Sequence, residues 1–167
     1  MTVWVVKGGI RGIREERFFD RSIIAIGWPE VGDLSTYADR DELKVAYRLA
    51  FPGRSSGHVN TQVGQLWNFA HQMRIGDIVV VPRMQRPDVA IGEIRGECRS
   101  TDEFGPDIAH VRAVAWVVTD VPRAAFDDDL RFSFGGSMTI SSVARRDAER
   151  RVKAVAWFAP GVGSTVR

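Results

Sequence analysis

The chain has 167 residues, 44% of them hydrophobic and 26% charged, a composition of folded globular domains that excludes collagen-like and low-complexity classes. It is long enough to bury roughly two-thirds of its unfolded surface as a single domain without disulfides or metals. Cys98 is the only cysteine, and the three histidines, His58, His71 and His110, lie far apart without ligand spacing, so the reading carries no disulfide, no metal site and no cofactor. No apolar run reaches the roughly 20 residues of a membrane span. The start Met1-Thr2-Val3-Trp4 lacks the features of a signal peptide, so the expectation is a cytoplasmic protein with no membrane partner.

The formal net charge is +2, which neither demands nor forbids a polyanionic partner. Of the 23 basic residues only Lys7, Lys44 and Lys153 are lysines. Arginine forks phosphates and stacks on bases, but a GC-rich coding sequence produces the same bias.

In chain order, Val3-Trp4-Val5-Val6 reads as a buried strand ended by Lys7-Gly8-Gly9. Arg11 to Arg21 is charged around Phe18 and Phe19 and reads as a short helix or turn. Ser22 to Trp28 is a second strand, halted by Pro29. Asp39 or Asp41 caps a helix with Leu43, Ala46, Tyr47 and Ala50 on one face, ending before Pro52-Gly53. Asn60 or Thr61 caps another, with Val63, Leu66, Trp67 and Ala70 inward. Three strands follow: 78–82, 89–94 and 111–118. A helical or turn segment runs to Leu130, Met138-Thr139-Ile140 is a last strand, and 145–155 reads as a last helix. One α+β domain over 1–158, built on a curved, barrel-like sheet flanked by helices, with a flexible tail over 159–167, accounts for this order.

Catalytic signatures are sparse. Asp88 and Glu93, with Arg95 following, resemble the acid set of a Mg²⁺-dependent nuclease. Five residues leave no room for the usual intervening hairpin, and arginine stands where lysine belongs. Asp88 in a hairpin turn and Glu93 on an exposed strand face explain the same letters. No phosphate loop, metalloprotease helix or nucleophile elbow is present, which favours binding over catalysis.

The aromatics are more informative. Trp4, Trp116 and Trp157 lie in apolar strings and read as core. Trp67, on a helix stripe, reads as core first and as a pocket candidate second. Trp28 ends a strand between Gly27 and Pro29, and Phe104 stands in the polar loop 100–106, where an aromatic calls for a functional explanation.

Six segments in order, Trp4 to Gly9, Ile24 to Trp28, Gly64 to Phe69, Ile75 to Pro82, Ile91 to Gly96 and Trp116 to Pro122, make the chain resemble the PUA-like superfamily with its EVE and YTH domains. The similarity is closer to the amino-terminal modules of Mrr/McrB-like modification-dependent restriction proteins. The resemblance implies a PUA-like fold and a non-catalytic, base-flipping reader of double-stranded DNA carrying 5-methylcytosine, 5-hydroxymethylcytosine or N6-methyladenine. A nuclease domain or subunit would be its partner in a restriction system. It implies further that Trp28 is one wall of an aromatic cage and that Lys7, Gly8 and Gly9 meet the base edge. The second wall belongs to the loop after the hairpin, where Phe104 is the nearest aromatic. Phosphate contacts are expected from Arg11, Arg14 and Arg17, from Arg54 with Ser55 and Ser56, and from Arg83 and Arg86. The alternatives are an RNA-binding PUA-like domain serving RNA modification, and the Asp88/Glu93 nuclease.

Overall fold

The computed structural model describes residues 1–158; the tail expected over 159–167 lies outside the described residues. Strand β1 (Val3–Val6) shows why its sequence is continuously apolar instead of alternating. Trp4 and Val6 enter a core on one face of the sheet, whereas Val3 and Val5 enter a second core on the other. A sheet covered on both faces has no solvent side to favour polar residues.

β1 runs parallel to β3 (Ile78–Pro82) and pairs at its other edge with antiparallel β7 (Ile140–Ser142). A hairpin joins β3 to β4 (Asp88–Ile94). The longest strand is β6 (His110–Pro122), whose second half pairs with β4 while its first four residues pair with β2 (Ile23–Ile26). The two-residue strand β5 (Arg99–Ser100) also pairs with this first half. The strand order is β2-β6-β4-β3-β1-β7. Two register shifts between β4 and β6 mark bulges, which bend a sheet and increase its twist. The result is a mixed α+β fold on a strongly curled, half-barrel sheet.

On the first face pack α1 (Glu15–Arg21), α2 (Arg40–Ala50) and α3 (Ser56–Trp67), supplying Phe18, Leu43, Tyr47, Val59, Val63 and Leu66 to the core. On the second lie α4 (Asp128–Phe134) and α5 (Ala148–Ala156), supplying Leu130, Phe134, Val152 and Ala156. Among the described residues no helix is long and apolar enough to cross a membrane.

Several boundaries differ from the sequence reading for local reasons. The cap of α2 is Asp39, whose carboxylate accepts from Glu42 N at 2.9 Å. The cap of α3 is Ser55, accepting from His58 N at 3.1 Å, so the helix starts ahead of Asn60 and Thr61. Asp147 takes a left-handed backbone (φ 52), which stops α5 from extending back to Arg145. The last strand is Ile140–Ser142 instead of 138–140, because Ile140 pairs with Val6 and Ser142 with Trp4.

Candidate functional site

The ends of β1 and β2 open at the same rim of the half-barrel. β1 runs out through Lys7 into Gly8 and Gly9, and the main-chain N–H of Arg14 returns to the Gly8 carbonyl at 2.7 Å, closing a tight loop. Gly9 sits at φ 83, a left-handed conformation that glycine adopts without steric cost.

β2 ends differently. Trp28 itself is left-handed, at φ 59 and ψ 52, which for a bulky residue costs on the order of 1–3 kcal/mol and persists only where its surroundings enforce it. The enforcement is visible: the buried imidazole of His110 donates Nε2–H to the Trp28 carbonyl at 3.1 Å, and Ala109 N–H holds the Ile26 carbonyl at 2.9 Å. The indole is half-buried and rests against the first core.

Between these strand ends lies an open cavity of about 640 Å³. Lys7, Gly9, Ile10 and Arg14 line it from the first loop, and Gly27, Trp28, Pro29 and Glu30 from the end of β2. Phe51, just past α2, adds a second aromatic, Met84 comes from the β3–β4 hairpin, and Pro106 and Asp107 from the β5–β6 loop. Ser137 and Thr139 close the remaining side. Its volume is within the range of small-ligand pockets.

Of the expected pocket residues, Trp28, Lys7 and Gly9 line the cavity. Gly8 is buried behind it, where an added Cβ would meet the Glu15 side chain. Phe104 is no wall: it is 8% exposed, packed into the first core, with the Arg21 guanidinium 4.9 Å over its ring. Its loop folds back because Arg17 grips the Phe104 carbonyl at 2.6 Å and the Asp107 carboxylate through both terminal nitrogens, at 2.7 and 2.5 Å. That loop therefore reaches the cavity through Pro106 and Asp107. Trp67 also lies elsewhere, stacked on His71 with ring centroids 4.0 Å apart. Phe51 was missed; it follows Ala50 at the end of an amphipathic helix, where it counts as a helix stop more readily than as a pocket wall.

The expected phosphate-binding set divides. Arg17 is committed to Asp107, and Arg83 is half-buried with Nε 2.6 Å from the carboxylate of buried Glu15 and its guanidinium 4.6 Å over Phe19. Arg86 pairs with Asp88 at 2.8 Å, and Ser55 is a helix cap. Arg11, Arg54 and Ser56 are exposed. Arg14 faces inward to the cavity.

Lys7 Nζ donates to the Gly136 carbonyl, and its pKa is lowered by burial and then by the Arg123 charge. The Arg17 fork holds Asp107 below the usual carboxylate range. Arg14 keeps its charge although burial disfavours it. The cavity thus combines an aromatic wall, two cations and main-chain edges. It can hold a flat, acceptor-bearing ring.

Asp88 and Glu93 stand five residues apart on β4, roughly 16 Å at 3.3 Å per residue. Their nearest charged partners are Arg86 and Arg95, at 2.8 and 3.4 Å. The strand does not bring them together.

No curated protein matches the chain. Residues 7–145 match a family described as Domain of unknown function (DUF8426), a span that holds the Trp28 cavity, the hairpin and most of the sheet. The chain belongs to the DUF8426 family.

Proposed function

We propose that this protein is a non-catalytic reader of a modified base in double-stranded DNA, acting as the specificity module of a restriction system whose nuclease resides in another domain or subunit. The observation that carries the reading is Trp28: an indole held on a left-handed backbone at a strand end, one side against the core and the other on a cavity of about 640 Å³. Strain of this kind concentrates at ligand clamps. The PUA-like fold is part of the same proposal; the curled sheet with its pocket at the strand ends supports it.

The energetics suit the task. Extruding a base costs a few kcal/mol of stacking, and one aromatic wall returns roughly 1–3 kcal/mol. Phe51 on the same cavity supplies a second apolar surface. A methyl group in an apolar niche adds only about 0.8 kcal/mol, so strong preference for a modified base requires polar groups that the wrong base leaves unpaired.

The test is a titration of duplexes containing 5-methylcytosine, 5-hydroxymethylcytosine or N6-methyladenine against unmodified duplex, with matched RNA as competitor. Preferential binding of one modified duplex, lost in Trp28→Ala, is expected. Equal binding of all duplexes, unchanged by Trp28→Ala, overturns the proposal, and stronger competition by RNA redirects it to an RNA ligand.

A further inference from the structure

Arg14 occupies an unusual position for a surface-loop arginine. Its guanidinium lies between two glycines that both line the cavity: a Cβ added at Gly9 would come within 3.2 Å of Nη1, and one added at Gly27 within 3.2 Å of Nη2. The absence of side chains at these two positions gives the planar group its berth. Nε donates to the Asp107 carbonyl at 3.0 Å, with the Asp107 carboxylate 3.7 Å away. The main-chain N–H of Arg14 is tied to Gly8. Among the described residues, Nη1 and Nη2 make no hydrogen bond. The fork is therefore fixed at its root, with its terminal donors directed at cavity space.

A guanidinium presents only donors, two of them parallel, and is satisfied bidentately by two adjacent acceptors. Bases differ in this respect. Cytosine offers O2 next to N3, and guanine offers O6 next to N7. Adenine places an N6 donor beside each of N1 and N7, and thymine interposes N3–H between its carbonyls. With the O2/N3 edge on Arg14, the C5 position of cytosine is directed to the opposite side of the cavity.

We infer that Arg14 is the specificity-determining residue of the cavity, selecting a base with two adjacent acceptors, cytosine or guanine and their modified forms, over adenine and N6-methyladenine. The inference rests on the base-reader proposal and adds to it the class of base. It also reassigns Arg14 from phosphate neutralisation to base reading.

The test uses the full chain and duplexes in which one test base stands opposite an abasic site, so that pairing cost does not vary with the base. The test bases are cytosine, 5-methylcytosine, guanine, adenine, N6-methyladenine and thymine, and binding is read by fluorescence anisotropy. Wild type should bind the cytosine or the guanine probes at least about fivefold tighter than the adenine probes, the low end of bidentate discrimination. Which of the two classes leads distinguishes the O2/N3 edge from the O6/N7 edge. Arg14→Met should erase this preference by weakening the favoured probes more than the adenine probes, and Arg14→Lys should restore it only in part, since a point charge lacks the fork. Thermal melting confirms that each variant is folded; Arg14→Lys carries the comparison should Arg14→Met fail. A preference for adenine, or an equal loss of affinity for every probe in both variants, overturns the inference while leaving a base reader in place. Indifference of wild type to all test bases overturns both.

Discussion

His110 and Trp28, 82 residues apart, are joined by a 3.1 Å hydrogen bond from the imidazole Nε2 to the tryptophan carbonyl. Because a carbonyl only accepts, the proton must sit on Nε2, which leaves Nδ1 of the neutral ring to accept from Ser100 Oγ at 3.0 Å. His110 is 1% exposed, and burial lowers its pKa, opposed by the Trp28 carbonyl and by Asp33, the charged group facing it beyond Ser100. Removing the donor leaves the Trp28 carbonyl with only the longer bond from Val31 N–H, at 3.4 Å, at the residue whose backbone is strained. His110→Leu should therefore destabilise the protein by about 0.5–1.5 kcal/mol, and His110→Gln, which can still donate, by less. Urea denaturation decides it: equal stability of wild type and His110→Leu removes the imidazole as the holder of Trp28. The sign of the pH effect follows from the lowered pKa. Below about 6.5 the unfolded chain takes up a proton that the folded chain resists, so stability attributable to His110 is present above that pH and is lost as pH falls through the window. His110→Gln should flatten that part of the stability curve.

The strands and the inward residues of the helices were legible because burial on both faces writes continuous apolar runs, as at Val3–Val6 and Ile78–Pro82. The position of Trp28 was legible too, since a tryptophan wedged between glycine and proline at a strand end has no regular role there. What escaped was every assignment that depends on long-range pairing. The letters of Arg14 and Arg17 are alike, yet one enters the cavity and the other clamps Asp107 across about 90 residues. Arg112 lay hidden in an expected strand; it is 1% exposed and donates to the carbonyls of Phe69, Met73 and Gly96, gathering the helical turn that follows α3 against the sheet. Phe104 misled because an aromatic in a polar loop looks available, and only the folded chain sets Arg21 over its ring.

The strain at Trp28 makes an unusual comparison testable. Glycine normally costs more than alanine because it gains more freedom on unfolding. At φ 59 the order should reverse: both substitutions lose the same indole packing, but alanine keeps the left-handed penalty and glycine escapes it. Trp28→Gly should be more stable than Trp28→Ala by about 1 kcal/mol, read from paired denaturation curves. Alanine as the more stable of the two would mean that Trp28 leaves the left-handed region in solution.

Glu15 ties α1 to the β3–β4 hairpin that carries Met84 to the cavity. One carboxylate oxygen accepts from Arg83 Nε at 2.6 Å and the other from Met84 N–H at 3.0 Å, and the pair is largely shielded from water. Breaking such a pair leaves an uncompensated charge, whereas replacing both partners with apolar groups does not. Glu15→Ala should cost about 3–5 kcal/mol, and the double variant Glu15→Leu with Arg83→Met should be more stable than Glu15→Ala alone. Chemical denaturation of the set measures this, and strictly additive losses would contradict it.

Under the proposed function, the division among the arginines sets the salt dependence of DNA binding. Counterion release lowers log K by about 0.9 per neutralised phosphate per decade of salt, so only a cation that reaches phosphate contributes to the slope. Arg17 and Arg83 are held by Asp107 and Glu15, while Arg11 and Arg54 are exposed and, among the described residues, in no ion pair. Arg11→Ala and Arg54→Ala should each flatten the slope by up to about 0.9 with little change in melting temperature. Arg17→Ala should instead lower the melting temperature, since it frees the β5–β6 loop from α1, and leave the slope as it was once the folded fraction is accounted for. Binding isotherms from low to moderate salt separate the two groups. A slope reduced by Arg17→Ala in a fully folded protein would return that residue to the phosphate-binding set and detach it from Asp107 in the complex.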